Sequence, residues 1–162
     1  MIKIAFEHDY DADAPWNQSD CHGPVRRVLH HLGHQKRPGE RPLNKPGHND
    51  YLYLYDWKEA CRLARVDGWN TDPHDAPNRI QRAVQADFDF LAGWVNNEWS
   101  YVVVTVTDTE SGKSDSLGGV ETLKDHHETL GADMAIELRD RIDNETIERD
   151  YRESQNYDGG ES

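Results

Sequence analysis

Apolar positions recur every three or four residues in one stretch and every second residue in the next, and this change of period gives the chain its layout. Ile80, Val84, Phe88, Leu91 and Val95 are spaced by four, four, three and four. That spacing predicts a helix from Pro77 to about Asn97 with one apolar face, leaving Arg79, Arg82, Asp89 and Asn96 outside. Pro77 suits a first turn, where its missing N–H has no helical partner, and Asp75 or Asn78 can serve the free N–H groups. Directly after Asn96-Asn97 the chain turns aromatic and β-branched, from Trp99 through Tyr101 and Val102 to Val106, which favours a strand.

The periodic pattern continues in both directions. Ile2 to Phe6 predicts a short strand, and Glu7 to Asp20 a polar, acid-rich loop. Gly23-Pro24 is read as opening a short amphipathic helix with Val25, Val28, Leu29 and Leu32 on one face and Gly33 as its stop. Turn-forming Pro38-Gly39, Pro42 and Pro46-Gly47 mark a basic loop from Gln35 to Asp50. Tyr51 to Tyr55 alternates tyrosine with leucine as a strand does. Asp56 and Glu59, three apart, resemble a capping box for a helix carrying Trp57, Ala60, Cys61 and Ala64, which Gly68 closes. Beyond the polar turn at 108–115, Ser116 to Thr122 predicts a strand with a bulge or close approach at Gly118-Gly119. A second long helix, starting near Thr122 or Lys124, carries Leu130, Met134, Leu138 and Ile142 on its inner stripe. Irregular alternation of strand and helix periods predicts an α+β fold. In it, a small, mostly antiparallel sheet of Ile2–Phe6, Trp99–Val106 and Ser116–Thr122 has both long helices packed on one face. Residues 1–154 are expected to form one domain and 155–162 a disordered acidic tail.

Composition narrows the class. Two cysteines, Cys21 and Cys61, are too few for a disulfide framework, and no apolar run approaches a membrane span. No secretory signal pattern opens the chain, so a cytoplasmic setting is expected. The net charge of −13 is segregated: residues 1–107 carry 15 acids and 12 bases, residues 108–162 carry 16 and 6, giving −3 and −10. On the C-terminal helix Asp133, Glu137, Asp140 and Glu148 fall beside the apolar stripe, where they form a negative ridge. Such a ridge repels nucleic acid and attracts a basic surface, including a nucleic-acid-binding groove on another protein.

Candidate chemistry is thin. Asp9, Asp11, Asp13, Asn17 and Asp20 match several positions of a calcium loop, but Ala14 stands where glycine makes the turn, and the segment reads as a solvated acidic turn. His30, His31 and His34 lack a zinc-ligand spacing. No metal, cofactor or catalytic residue is therefore assigned. Two other functions fit subsets of these residues. One is a metal-dependent enzyme using His8, Asp9, Asp11, Asp13 and His22. The other is a nucleic-acid-binding module using Arg26, Arg27, Lys36, Arg37 and Arg41 with nearby tyrosines.

The segments Asp9-Tyr10-Asp11-Ala12-Asp13-Ala14-Pro15-Trp16, His22-Gly23-Pro24-Val25, Arg37-Pro38-Gly39-Glu40-Arg41, Asp67-Gly68-Trp69, Ala86-Asp87-Phe88 and Trp94 to Val106 together resemble a group of small accessory proteins of tailed bacteriophages and prophages. That group has no assigned catalytic residues to carry over, so the resemblance implies a setting and not a chemistry. In the host cytoplasm, such accessory proteins often counter host defence. The expectation is an acidic inhibitor of anti-CRISPR or anti-restriction type. It would bind a host protein with a basic surface, partly by nucleic-acid mimicry, through Asp133, Glu137, Asp140 and Glu148, with homo-oligomerisation left open.

Overall fold

The computed structural model describes residues 1–47, 50–69 and 77–158. The fold is α+β, and its contacts separate into two compact units, Met1–Ala12 with Ser100–Ser162, and Asp13–Trp99. Each unit has its own three-stranded antiparallel sheet, where the sequence suggested one.

In the first unit β1 (Ile2–His8) pairs with β5 (Tyr101–Asp108), and β5 pairs with β6 (Ser114–Glu121). Val102, Val104 and Val106 alternate along β5 onto the buried face, at 8%, 0% and 0% exposure. Val103, Thr105 and Thr107 fall on the open face, where the Thr105 and Ser116 hydroxyls lie 2.8 Å apart. The register slips between Val102 and Val104, opposite Gly118-Gly119, and Gly119 takes a φ of +66°, so the expected bulge is present. Asp9 holds it: its Oδ2 accepts the Gly119 N–H at 2.7 Å, and a Cβ on Gly118 would lie 2.9 Å from the same oxygen.

Helix α4 (His126–Asp158) covers the buried face. Leu138 is 1% exposed, and Leu130 and Met134 pack against Val102, Val104 and Val120. Gly131, a costly helix residue by propensity, sits where the helix meets β1: a Cβ there would lie 2.9 Å from Ile4 Cγ2. The helix runs through Gln155–Asp158, the start of the segment read as tail; residues 159–162 lie outside the described ones. No glycine or proline interrupts 132–158, and Arg152 stands one turn from Glu148, so nothing stops the helix earlier.

At the β5–β6 turn Asp108 Oδ2 accepts the Ser111 hydroxyl at 2.7 Å and the Ser111 N–H at 2.9 Å, and Oδ1 faces the Met1 amino group at 3.3 Å. These donors, Ser111 foremost, hold its carboxyl down at about 2, against an ordinary 3.8. A depressed carboxylate pKa contributes stability that is present above the unfolded value and lost as pH falls through the folded one. Thermal midpoints of the wild type and Asp108→Asn are therefore expected to differ above about pH 4 and to converge as pH falls toward 2. A gap that persists unchanged at pH 2 would contradict this assignment.

In the second unit β4 (Tyr51–Asp56) lies between β2 (Val25–Leu29) and β3 (Glu40–Pro42). The helix expected from Gly23-Pro24 is thus a strand, followed by a 3-10 segment, His30–Gln35. A segment this short does not hold a stable helix alone, and pairing with β4 supplies the backbone bonds instead. The side chains of Leu32, Gly33 and His34, and with them the His34 part of the zinc pattern, lie outside the described residues.

Helix α2 (Trp57–Asp67) starts as read: Asp56 accepts the Glu59 N–H at 3.0 Å, and Gly68 closes it in the left-handed region. Helix α3 (Arg79–Val95) buries Val84, Leu91 and Val95 with Tyr55, Ala60 and Ala64. It packs in this unit with α2, while α4 covers the other unit's sheet, so the two long helices do not share one face. Asn78 makes no side-chain cap, and Asp75 falls outside the described residues.

Candidate partner-binding face

Burying one stripe of α4 obliges the remainder to face solvent. Asp133, Glu137, Asp140 and Glu148 are all exposed, as the 3.6-residue period requires once Leu138 is committed to the sheet. Ten acids against four arginines leave the helix at −6. Its basic residues are partly consumed: Arg141 pairs with Asp115 on β6, and Arg152 stands 4.0 Å from Glu148. Lys113 pairs with Glu145. Among the described residues, Asp133 and Asp140 have no ion-pair partner and Glu137 has Arg141 nearby, so three of the four ridge carboxylates project uncompensated or nearly so. At 1.5 Å per residue the ridge spans roughly 22 Å, on which one strand of duplex would place roughly six phosphates. The helix reproduces part of that charge density.

The structure does not gather the proposed metal cluster. Asp9 uses one oxygen on Gly119 N–H and the other on Asp11 N–H, at 3.0 Å, and His8 packs edge-on against Tyr10. The turn α1 (Pro15–Gln18) interrupts the calcium-like spacing. Among the described residues no three His, Cys, Asp or Glu side chains converge as metal ligands.

The basic set is largely occupied within its own unit. Arg26 bonds both oxygens of the buried Glu40, at 3.2 and 2.9 Å. Arg27 lies over the Tyr51 ring at 4.4 Å and Arg41 over Trp57 at 4.0 Å. Lys36 and Arg37 remain exposed.

His22, by contrast, has a partner that sequence reading missed. Its Nδ1–H donates to Asp87 Oδ1 at 2.6 Å, and Asp87 Oδ2 accepts the Gly23 N–H at 2.8 Å and the Tyr55 hydroxyl at 2.7 Å. Burial, then the Asp87 charge, push the Tyr55 phenol above its ordinary value, which keeps it a donor. Phe90 stacks on the His22 ring, with 9° between the planes. Gly23 is required by the crowding: a Cβ there would lie 2.5 Å from the Tyr55 ring. The sequence did carry a signal, since Asp87 lies three residues from Val84 and four from Leu91, on the buried side of α3. The cluster fixes the imidazole and joins β4, α3 and the segment before β2. A cleft of about 500 Å³ in this unit is lined instead by Arg41, Trp57, Asn78, Gln81, Arg82 and Gln85.

Comparison with protein-family models, with curated proteins and with solved structures finds no match for this chain. No helix among the described residues is long and apolar enough to cross a membrane.

Proposed function

We propose that this chain is a non-enzymatic binding protein that presents the acidic side of α4 to a basic, nucleic-acid-binding groove of a host protein. In the phage setting that its sequence resembles, this makes it an anti-defence inhibitor of anti-CRISPR or anti-restriction type, acting partly as a nucleic-acid mimic in the host cytoplasm. The observation that carries the reading is the exposure of Asp133, Glu137, Asp140 and Glu148 on a helix that packs onto its sheet through Leu130, Met134 and Leu138. Long-range attraction would accelerate association, and salt would weaken it, since the Debye length falls from about 10 Å at 0.1 M to about 3 Å at 1 M.

The test is capture from nuclease-treated host lysate, read by mass spectrometry, followed by kinetics on the captured protein. Asp133→Asn, Glu137→Gln, Asp140→Asn and Glu148→Gln together nearly preserve shape, so the fold should survive. The on-rate at low salt should fall by about tenfold or more. Duplex nucleic acid should compete with the wild type for the captured protein. Binding by the quadruple variant that matches wild type at low and high salt alike would reject the acidic face as the contact.

A further inference from the structure

The seven residues of β1 form a sheet edge with no strand beyond it among the described residues. Every residue from Lys3 to His8 is exposed, including Ile4 and Phe6 at 41% each, which is unusual for apolar residues on the helix-covered side of a sheet. Asp9 N–H donates to Tyr101 O and Thr109 N–H donates to Met1 O, so with the observed register it is the odd-numbered residues that exchange bonds with β5. Antiparallel pairing alternates, and Ile2, Ile4, Phe6 and His8 therefore direct their N–H and C=O groups away from the sheet. No proline and no register slip blunts this edge, as edge strands usually require.

We infer that β1 pairs antiparallel with β1 of a second copy of this chain, in the register where the two residue numbers sum to ten. An even sum is needed to set the outward-pointing even residues opposite one another. At ten, all seven strand residues pair: Ile2 faces His8 of the second copy, Lys3 faces Glu7, Ile4 faces Phe6, and Ala5 faces Ala5 on the twofold axis. Shifting by two in either direction pairs only five strand residues and moves Glu7 opposite Met1 or Ala5.

A twofold interface must be self-complementary, and this strand is so in charge and in apolarity at once. An extended segment of another protein would require neither. Lys3 and Glu7 lie on the open face in a non-hydrogen-bonded pair, where side chains come closest. Ile4 and Phe6 lie on the α4 side, beside Gly131. Ile136, 60% exposed, extends that apolar margin, and a cleft of about 320 Å³ lined by Ile2, Ala135, Ile136 and Arg139 opens there. Pairing would join the sheets in the order β6-β5-β1-β1-β5-β6 and present two acidic helices in place of one.

Sedimentation and light scattering of the full chain test this. The expected species has twice the 18.7 kDa chain mass. It should be favoured by salt, because two copies at −13 repel, whereas binding to a basic partner is disfavoured by salt. Lys3→Glu and Glu7→Lys should each weaken the dimer about tenfold, because two attractive pairs become repulsive. Mixing these two variants should restore it, since both cross-strand pairs are then opposite in sign. Ala5→Lys, on the exposed face, should also give a monomer, with circular dichroism verifying that each variant is folded. A wild type that stays monomeric at all concentrations, a dimer indifferent to all three substitutions, or folded variants that mixing fails to restore would each overturn the inference. So would capture of an extended segment of another protein on the β1 edge of a monomeric chain.

Discussion

Asp87→Ala is expected to cost the Asp13–Trp99 unit about 3–5 kcal/mol, because one carboxylate there satisfies three donors at once. Removing it strands the Tyr55 hydroxyl in a residue with no exposure, leaves the Gly23 N–H without its partner, and frees the His22 ring from its orienting bond. The site cannot relax by collapse. Gly23 already lies against the Tyr55 ring, and Phe88 packs edge-on against the same ring from α3 at 5.4 Å. Asp87→Asn keeps one acceptor oxygen and should lose less, about 1–3 kcal/mol. Tyr55→Phe removes a donor along with its demand for an acceptor, and should cost only about 1 kcal/mol. Urea denaturation of the three variants gives the comparison. An alanine variant within 1 kcal/mol of wild type, or no more affected than Tyr55→Phe, would show that the carboxylate is solvated and not structural.

This cluster marks where sequence reading ends. The α3 stripe, the Asp56 cap, the Gly68 stop, β5 and the Gly118-Gly119 bulge are all local: each is written in residues a few positions apart, so spacing and propensity find them. Asp87 is 65 residues from His22 and 32 from Tyr55. Only the buried position of a charged residue on α3 could have pointed to it. β2 failed for a different reason. In Val25–Leu29 the apolar positions 25, 28 and 29 follow a helical spacing and break a period of two, and the partner that overrides them, β4, lies more than twenty residues away. The division into two units was likewise illegible, because the Tyr51–Asp56 strand carries no mark of which sheet it joins. For the acidic face the sequence went further: once Leu138 and its neighbours are assigned to the core, the helical period alone places Asp133, Glu137, Asp140 and Glu148 outside. What α4 meets is not in its own pattern. The approach of β1 at Gly131, and the bare edge beyond it, emerge only from the register of β1 on β5.

Trp99→Ala should be the second severe substitution, at about 3–5 kcal/mol. Helix α3 ends in a Schellman motif: Asn97 takes a φ of +58°, its N–H donates to Trp94 O at 3.1 Å, and Glu98 N–H donates to Gly93 O at 2.8 Å. That reversal folds Trp99 back onto the last turns of its own helix. There the ring is 4% exposed, its Nε1–H donates to Phe90 O at 2.8 Å, and it lies 4.7 Å from the Phe90 ring. Gly93 makes the space, since a Cβ there would be 2.8 Å from Trp99 Cδ1, an atom at the root of a held ring. Gly93→Ala alone should therefore destabilise, although alanine is the better helix former by about 1 kcal/mol. In the Trp99→Ala background the obstruction is gone, only the propensity remains, and the same substitution should stabilise by up to about 1 kcal/mol. Four denaturation curves, for wild type, the two single variants and the double, measure this change of sign. If Gly93→Ala has the same effect in both backgrounds, the tryptophan neither packs on Gly93 nor closes α3.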